Sequence, residues 1–426
     1  MSPTASASNR VLRQAVSLGL RVLSLGSKFL VVLLMAKYLS AREVGIYGLI
    51  ASGTGYLLLV VGLDFYTYTT REMLRAPQAR WAQMIHSQGA LMLVQYAVVV
   101  PFVLLAMLFA DAGLVAWFGV ILVLEHLAQE MNRLFVTMEK QIAATFIMFF
   151  RVGGWCVVAI PALWLIPAAR DLDVVLALWV GSLLLGIGVG GALLAGQSLP
   201  GWRDPVDWAW VRRGARVALP LLLATLALRS LLNLDRFVVQ GLGGLEVVGA
   251  YVLFMGIAAA LLALIESGVV VYYYPAMVRA VSAGEFATLR RAMKHMSVAI
   301  LVVAVPFIGV AMLLRDPLLT MLDEAVYAEH ADVLLPALLA MSALALSLVP
   351  HYGLYAYGRD RPLLAVNSCM AAGFIGASAV LLAEGGGPVA VPWTMTACLV
   401  AGGAAKWMLF SATSRKRASP GPVPPG

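Results

Sequence analysis

Residues Ala41–Tyr47 read AREVGIY, and residues Leu245–Tyr251 read LEVVGAY. Both carry Val-Gly-x-Tyr, as Val44-Gly45-Ile46-Tyr47 in the first and Val248-Gly249-Ala250-Tyr251 in the second. Each opens a long apolar run. The two stand 204 residues apart (249 − 45) in a chain of 426, close to half its length. That offset is what an internal duplication leaves, and duplicated halves are a common plan among membrane transporters.

The sequence around the two heptads is apolar throughout. It is 62% hydrophobic and only 12% charged, with a mean hydropathy of +0.89. Soluble domains average about 45–50% apolar and about 25% charged residues, so a soluble enzyme, a disordered chain and a disulfide-rich module are excluded. Stretches of about 20 apolar residues suit a bilayer core. Twelve occur, near 14–36, 45–69, 86–109, 114–136, 142–165, 173–196, 214–239, 247–274, 296–314, 332–356, 362–383 and 388–410. None alternates with the period of a barrel strand, which leaves helices. The first lacks a small-residue cleavage site and reads as an uncleaved helix.

Six spans per half is even, so both halves insert with the same topology. The expected fold is an all-α polytopic membrane protein of twelve transmembrane helices in two parallel six-helix halves. Residues 1–204 form the N-terminal lobe, 205–413 the C-terminal lobe and 414–426 a disordered cytoplasmic tail. Connections on one face hold nineteen basic residues, among them Arg71, Arg75, Arg212, Arg290 and Arg361; the other face holds only Lys37, Arg42, Arg170 and Arg315. The positive-inside rule then puts both termini in the cytoplasm. The amphipathic segment Met277–Met296 is expected at the cytoplasmic interface.

Several functions are excluded by what is missing. No P-loop pattern occurs. The net charge of +8 is dispersed between apolar blocks, which speaks for membrane orientation and against nucleic acid. Cys156, Cys369 and Cys398 sit in apolar runs without metal or redox spacing and read as small buried hydrophobes. Gly186–Gly191 (GIGVGG) lies inside an apolar helix, where small residues serve helix packing. External connections are short; the longest, about Arg315 to Asp332, carries five acidic residues. No catalytic set, metal ligand or cofactor site is expected, and the chain is not read as an enzyme.

Charges within the spans carry the functional information. They are Arg21, Lys28, Asp64, Glu125, Glu130, Arg133, Arg151, Arg229, Asp235, Arg236, Glu266 and Lys406. Each would cost about 2.5–3.5 kcal/mol at the centre of a lipid-facing helix. The sum, on the order of 30 kcal/mol, exceeds the about 5–15 kcal/mol that keeps a typical protein folded, so most must face an interior. Lys406 reads as an anchor that reaches the interface, and Tyr272–Tyr274 as part of an aromatic belt.

Helical spacing groups the others. Arg229, Asn233, Arg236 and Gln240 share one stripe; Gln14, Ser17, Arg21, Ser24 and Lys28 share another on the repeat-equivalent first span. His126, Gln129, Glu130 and Arg133 lie on one side of the fourth span, and Ser347, His351 and Tyr355 on one face of the tenth. Cationic stripes suit an anionic group, which arginine can grip bidentately. The candidate head-group set is Arg21, Lys28, Arg133, Arg151, Arg229, Asn233 and Arg236. Glu130 and Arg133 are three apart and can instead neutralise each other; Asp235 can pair with Arg151 or Arg229 across helices. The candidate ion-coupling set is Asp64, Glu130, Asp235, Glu266 and His351. Asp64 and Glu266 can equally balance the cationic lining, and His126 and His351 can be hydrogen-bonded interior histidines.

Segment 36–50 (AKYLSAREVGIYGLI) and residues Leu234–Tyr251 (LDRFVVQGLGGLEVVGAY) resemble the Wzx-type polysaccharide flippases of the multidrug/oligosaccharidyl-lipid/polysaccharide (MOP) exporter superfamily. The resemblance lies in Lys37-Tyr38-Leu39 ahead of Glu43, Gly45 and Tyr47, and in Asp235-Arg236 ahead of Gly249 and Tyr251. Arg42 departs from the Pro or Asp of many members. The resemblance implies a MOP/MATE-like fold and a transporter that moves polyprenyl-pyrophosphate-linked oligosaccharide across the bacterial inner membrane by alternating access. Its implied partners are the lipid-linked oligosaccharide, membrane lipid and polysaccharide assembly proteins. Twelve spans rather than fourteen separate it from the related peptidoglycan-precursor flippases. The alternatives are a cationic-drug exporter of the same superfamily, which needs an acid-dominated cavity, and a polysaccharide polymerase or ligase, whose only candidate acids lie near Glu324. The major facilitator signature is absent from Thr70–Arg75.

Overall fold

The computed structural model describes residues 19–20, 23–24 and 26–418, except for the side chains of 415–418, Leu221, Ala224 and Leu228. The predicted polar positions Gln14, Ser17 and Arg21, and the tail beyond Ala418, lie outside the described residues. Helix is the only regular structure among the described residues. The helices are α1 (26–38), α2 (Ala41–Gly62), α3 (Tyr66–Arg75), α4 (Trp81–Ala106), α5 (Ala112–Thr137), α6 (Gln141–Phe149), α7 (Trp155–Leu165), α8 (Leu172–Ala195) and α9 (Trp208–Asn233). They continue with α10 (Asp235–Ile265), α11 (Val271–Ser282), α12 (Phe286–Leu313), the short α13 (Arg315–Leu322) and α14 (Ala325–Glu329), α15 (Leu334–Ala356), α16 (Asp360–Glu384) and α17 (Ala390–Ala418).

Ten helical stretches among the described residues are long and apolar enough to cross a membrane. This is a multi-pass membrane protein. One stretch, Thr225–Ser282, runs 58 residues, about 87 Å if straight, against a bilayer core of about 30 Å. It breaks at Gly244, whose φ of +81° and ψ of −174° suit glycine alone,. The predicted seventh and eighth spans therefore meet at this residue.

The described residues pack as two compact units, one of those up to Leu39 with Ile50–Leu226, the other of Ser40–Leu49 with those from Ala227 onward. In the first, Phe65, Met73, Met84, Trp210 and Val211 form a buried cluster. Gly214 of α9 lies against the rings of Phe65 and Tyr68. Gly186 and Gly190 of α8 face Phe150, Ile147 and Met131, which makes the glycine run the packing surface its helical context implied. Cys156 is buried, but Cys398 is only partly covered and Cys369 is exposed. The expectation of three buried cysteines therefore holds for one; the apolar outer face of α16 accepts a thiol where a soluble protein's surface would not.

In the second unit, the first nine residues of α2 lie with α10, and the two heptads make the crossing. A methyl on Gly45 would overlap the carbonyl oxygen of Leu245, and one on Gly249 would overlap that of Ala41. Gly48 abuts Val252 in the same register. Glycine lets the backbones approach until Cα–H groups face carbonyl oxygens. The start of α2 is also capped: Glu43 accepts from the Ser40 amide and hydroxyl at 2.9 and 2.6 Å, and Ser40 Oγ accepts from the Glu43 amide at 3.3 Å. This is a reciprocal capping box. Glu324 accepts from the Ala41 amide at 3.1 Å.

Two expectations are corrected. Met277–Met296 is not continuous helix: α11 ends at Ser282, the chain turns through Gly284 at φ +73°, and α12 begins at Phe286, so an interfacial position for the segment stays an expectation. Its amphipathic pattern comes from the polar ends of two long helices. Lys406 does not reach outward. It is 3% exposed and donates to Ser347 Oγ at 3.0 Å, because α17 turns that face toward α15.

Two π-helical turns interrupt the spans, Phe150–Gly154 between α6 and α7 and Glu266–Val270 between α10 and α11. Such turns occur often at functional sites. One carries Arg151 and the other opens on Glu266, both predicted site residues.

Candidate functional site

In the first unit, α5 supplies a buried polar face. Arg133 Nη1 donates to Glu130 Oε1 at 2.6 Å, and Gln88 of α4 donates to Glu130 Oε2 at 2.6 Å. The Arg133 guanidinium lies 3.5 Å above the Tyr66 ring. Tyr66, Thr69, Thr70, Gln88, Glu130, Arg133 and Thr137 line a small pocket here. One turn away, His126 Nδ1 meets the Tyr96 hydroxyl at 2.8 Å, while buried Nε2 faces Gly62 with no hydrogen-bond partner. Of the two readings of Glu130 and Arg133, mutual neutralisation is the geometry found.

Asp64 is reached by an unusual backbone. Leu63 and Asp64 follow α2 with φ of +51° and +52°, a left-handed conformation that costs an L-residue about 1–2 kcal/mol. It turns the Asp64 carboxylate inward, where it is 7% exposed and accepts from Thr225 Oγ1 at 3.2 Å. Asp64 is also an electrostatic neighbour of Glu130. Strain held at a buried acid is a mark of function.

Arg151 in the first π turn forms an ion pair with Glu125 at 2.9 Å. Trp179 of α8 donates its indole N–H to the other Glu125 oxygen at 2.9 Å, and its ring stacks on Trp155 with centroids 5.5 Å apart. The π turn brings Gly153 against Ser24, just ahead of α1. Lys28, one turn farther on, is exposed and forms no ion pair among the described residues.

In the second unit, Asp235 is fully buried. It accepts from the Tyr251 hydroxyl at 2.8 Å and from Arg236 Nη1 at 3.0 Å. Asp235 pairs with its own neighbour, not with Arg151 or Arg229 as expected; Arg236 Nη1 folds back to donate to Leu232 O at 3.1 Å as well. Asn233 donates to the Arg229 carbonyl at 2.8 Å. Arg229 itself is exposed, without an ion pair among the described residues, and Glu266 is its electrostatic neighbour. His351 lies one turn beyond Ser347 on α15 and feels the charge of Lys406.

Sequence reasoning missed the Glu125–Arg151–Trp179 contact, the Asp235–Tyr251 bond and the burial of Lys406. The last two carried a signal: the tyrosine of the second Gly-x-Tyr needs a hydroxyl partner when buried, and Ser347 and His351 mark the polar face that receives Lys406.

No family model and no curated protein matches the chain. Solved structures do, and they share its fold. An inward-facing MATE family multidrug resistance transporter of that superfamily aligns over 93% of this chain and 96% of its own, with a TM-score of 0.68 at 13% identity. The lipid II flippase MurJ in an inward closed conformation aligns over 95% and 87%, with a TM-score of 0.61 at 12% identity. A MOP superfamily transporter from Pyrococcus furiosus, described by the reverse polarity of its binding pocket, aligns over 94% and 96%, at 0.53 and 13%.

Proposed function

We propose that the chain is a flippase for lipid-linked oligosaccharide, with both termini on the cytoplasmic side of a bacterial inner membrane, serving surface polysaccharide synthesis. One observation carries this reading. The buried acids of the spans are committed: Glu125 to Arg151, Glu130 to Arg133 and Gln88, Asp235 to Arg236 and Tyr251, Asp64 to Thr225. Lys28 and Arg229 are left exposed on helices of the predicted lining without an ion pair among the described residues, against one exposed acid of the spans, Glu266. Charged groups avoid lipid and mark a polar path. A surplus of base suits the pyrophosphate of a polyprenyl-linked sugar, while the lipid tail stays in the bilayer.

Export of organic cations asks for the opposite surplus. Polymerisation or ligation asks for a free external acid, whereas Glu324 is held by the Ala41 amide. Asp64, on its strained turn beside Glu130, is the group best placed to couple an ion to the cycle. The test is a flipping assay in proteoliposomes with lipid-linked oligosaccharide extracted from the source cells. Transport by the purified protein supports the reading; a signal no higher than protein-free liposomes contradicts it.

A further inference from the structure

The predicted aromatic belt takes a different form. Tyr272 is exposed to 71%, as a belt residue would be. Tyr274 instead packs across to α15, with its ring centroid 4.7 Å from that of Tyr352 and 6.2 Å from that of Tyr355. The edge of His351 lies against Tyr352 at 5.4 Å. Tyr352 is an electrostatic neighbour of Glu266, and Glu266 of Arg229. Rings, carboxylate and guanidinium thus follow one another on the second unit, and Tyr355 remains 51% exposed.

Two ligand chemistries use clustered aromatic rings. A cage for an organic cation needs open space between the ring faces. Here the Tyr274 and Tyr352 rings stand 4.7 Å apart at a tilt of 46°, which leaves no gap between them for a cation, and the charge of Arg229 opposes that of Glu266. What stays open is Tyr355, while Tyr274 and Tyr352 are half-buried beside it. A pyranose ring matches that: its C–H face stacks on an aromatic ring, and its hydroxyls bond to phenol, carboxylate and guanidinium groups.

We propose that Tyr274, Tyr352 and Tyr355 form a stacking platform for a sugar ring of the transported glycan, with Glu266 at its edge bonding ring hydroxyls. This assignment rests on the flippase reading above. It divides recognition between free cations for the anionic head and a tyrosine surface for carbohydrate.

The experiment uses full-length protein in proteoliposomes and two probes: lipid-linked oligosaccharide extracted from the source cells, and the same lipid trimmed to its first sugar. Tyr352→Leu and Tyr355→Leu are compared with Tyr352→Phe and Tyr355→Phe at matched reconstitution. The leucine variants are expected to flip the full substrate about tenfold more slowly and the trimmed one at nearly the wild-type rate. The phenylalanine variants, which keep the ring, should stay within about threefold. Unchanged flipping of the full substrate by the leucine variants overturns the platform. So does an equal loss on both probes, which marks a packing role. Ethidium binding that those leucine changes abolish overturns it too, by assigning the rings to a cation. Wild-type protein that flips neither probe overturns the flippase reading itself, and the platform with it.

Discussion

Gly45 and Gly249 occupy equivalent places in one helix crossing: each lies on the carbonyl four residues before the other, Gly45 on Leu245 and Gly249 on Ala41. The register of this contact is the 204-residue offset of the sequence repeat. The Val-Gly-x-Tyr echo is therefore a packing requirement of two backbones that touch about a local pseudo-twofold. Val44 and Val248 are fully buried beside it, and Tyr47 and Tyr251 nearly so.

Gly45→Ala and Gly249→Ala are each expected to destabilise the protein by about 1–3 kcal/mol, the range for overpacking a filled interior. The double variant should fall short of the sum, because one separation of the helices relieves both overlaps. Thermal melts in detergent measure this. Wild-type melting of either alanine variant would contradict the crossing.

Tyr251→Phe removes the one hydrogen bond, among the described residues, between the Asp235 side chain and a residue beyond its own turn. A hydrogen bond to a charged group contributes about 1.5–3 kcal/mol, so this variant should melt lower while keeping its packing volume. Asp235→Asn retains an oxygen acceptor and should be milder. If Tyr251→Phe melts like wild type, the bond does not hold the seventh span to the eighth.

Glu125→Gln and Arg151→Gln each leave one charge of the pair uncompensated. Both are expected to destabilise, by less than the about 3–5 kcal/mol seen when a fully buried pair is broken, since Arg151 is 21% exposed. The double variant Glu125→Gln/Arg151→Gln should recover most of the loss. Additive losses in a double-mutant cycle would show that the two act separately and would return Arg151 to the set of free cations.

Lys406→Met replaces a buried ammonium, held by a single hydroxyl among the described residues, with an unbranched apolar chain. Removing an unpaired buried charge relieves its desolvation cost, so the melting temperature should hold or rise. A marked fall would show that the ammonium has a stabilising partner in the folded protein beyond Ser347.

Several of these features were legible in the residues alone. Apolar runs gave the spans, and the heptads gave the repeat and, in Gly45 and Gly249, its point of contact. Spacing of three along one helix gave Glu130 with Arg133. These features are local, or repeat at a fixed offset. The rest depends on which faces meet. Arg151 and Glu125 lie 26 residues apart, and only the π turn aims one at the other. Lys406 near the end of its span looked free to reach water until α15 covered it. No pattern announces that Leu63 and Asp64 take positive φ, since neither is glycine; the strain is imposed by the surrounding fold.

The central claim of the proposed function is that exposed span cations, Arg229 above all, receive an anionic lipid head, and its most direct test is binding of polyprenyl pyrophosphate by the purified protein in detergent. The account predicts saturable binding of the pyrophosphate, none of the corresponding polyprenol, and about tenfold weaker binding by Arg229→Ala at an unchanged melting temperature. Equal affinity for the polyprenol, or full affinity in Arg229→Ala, would contradict it.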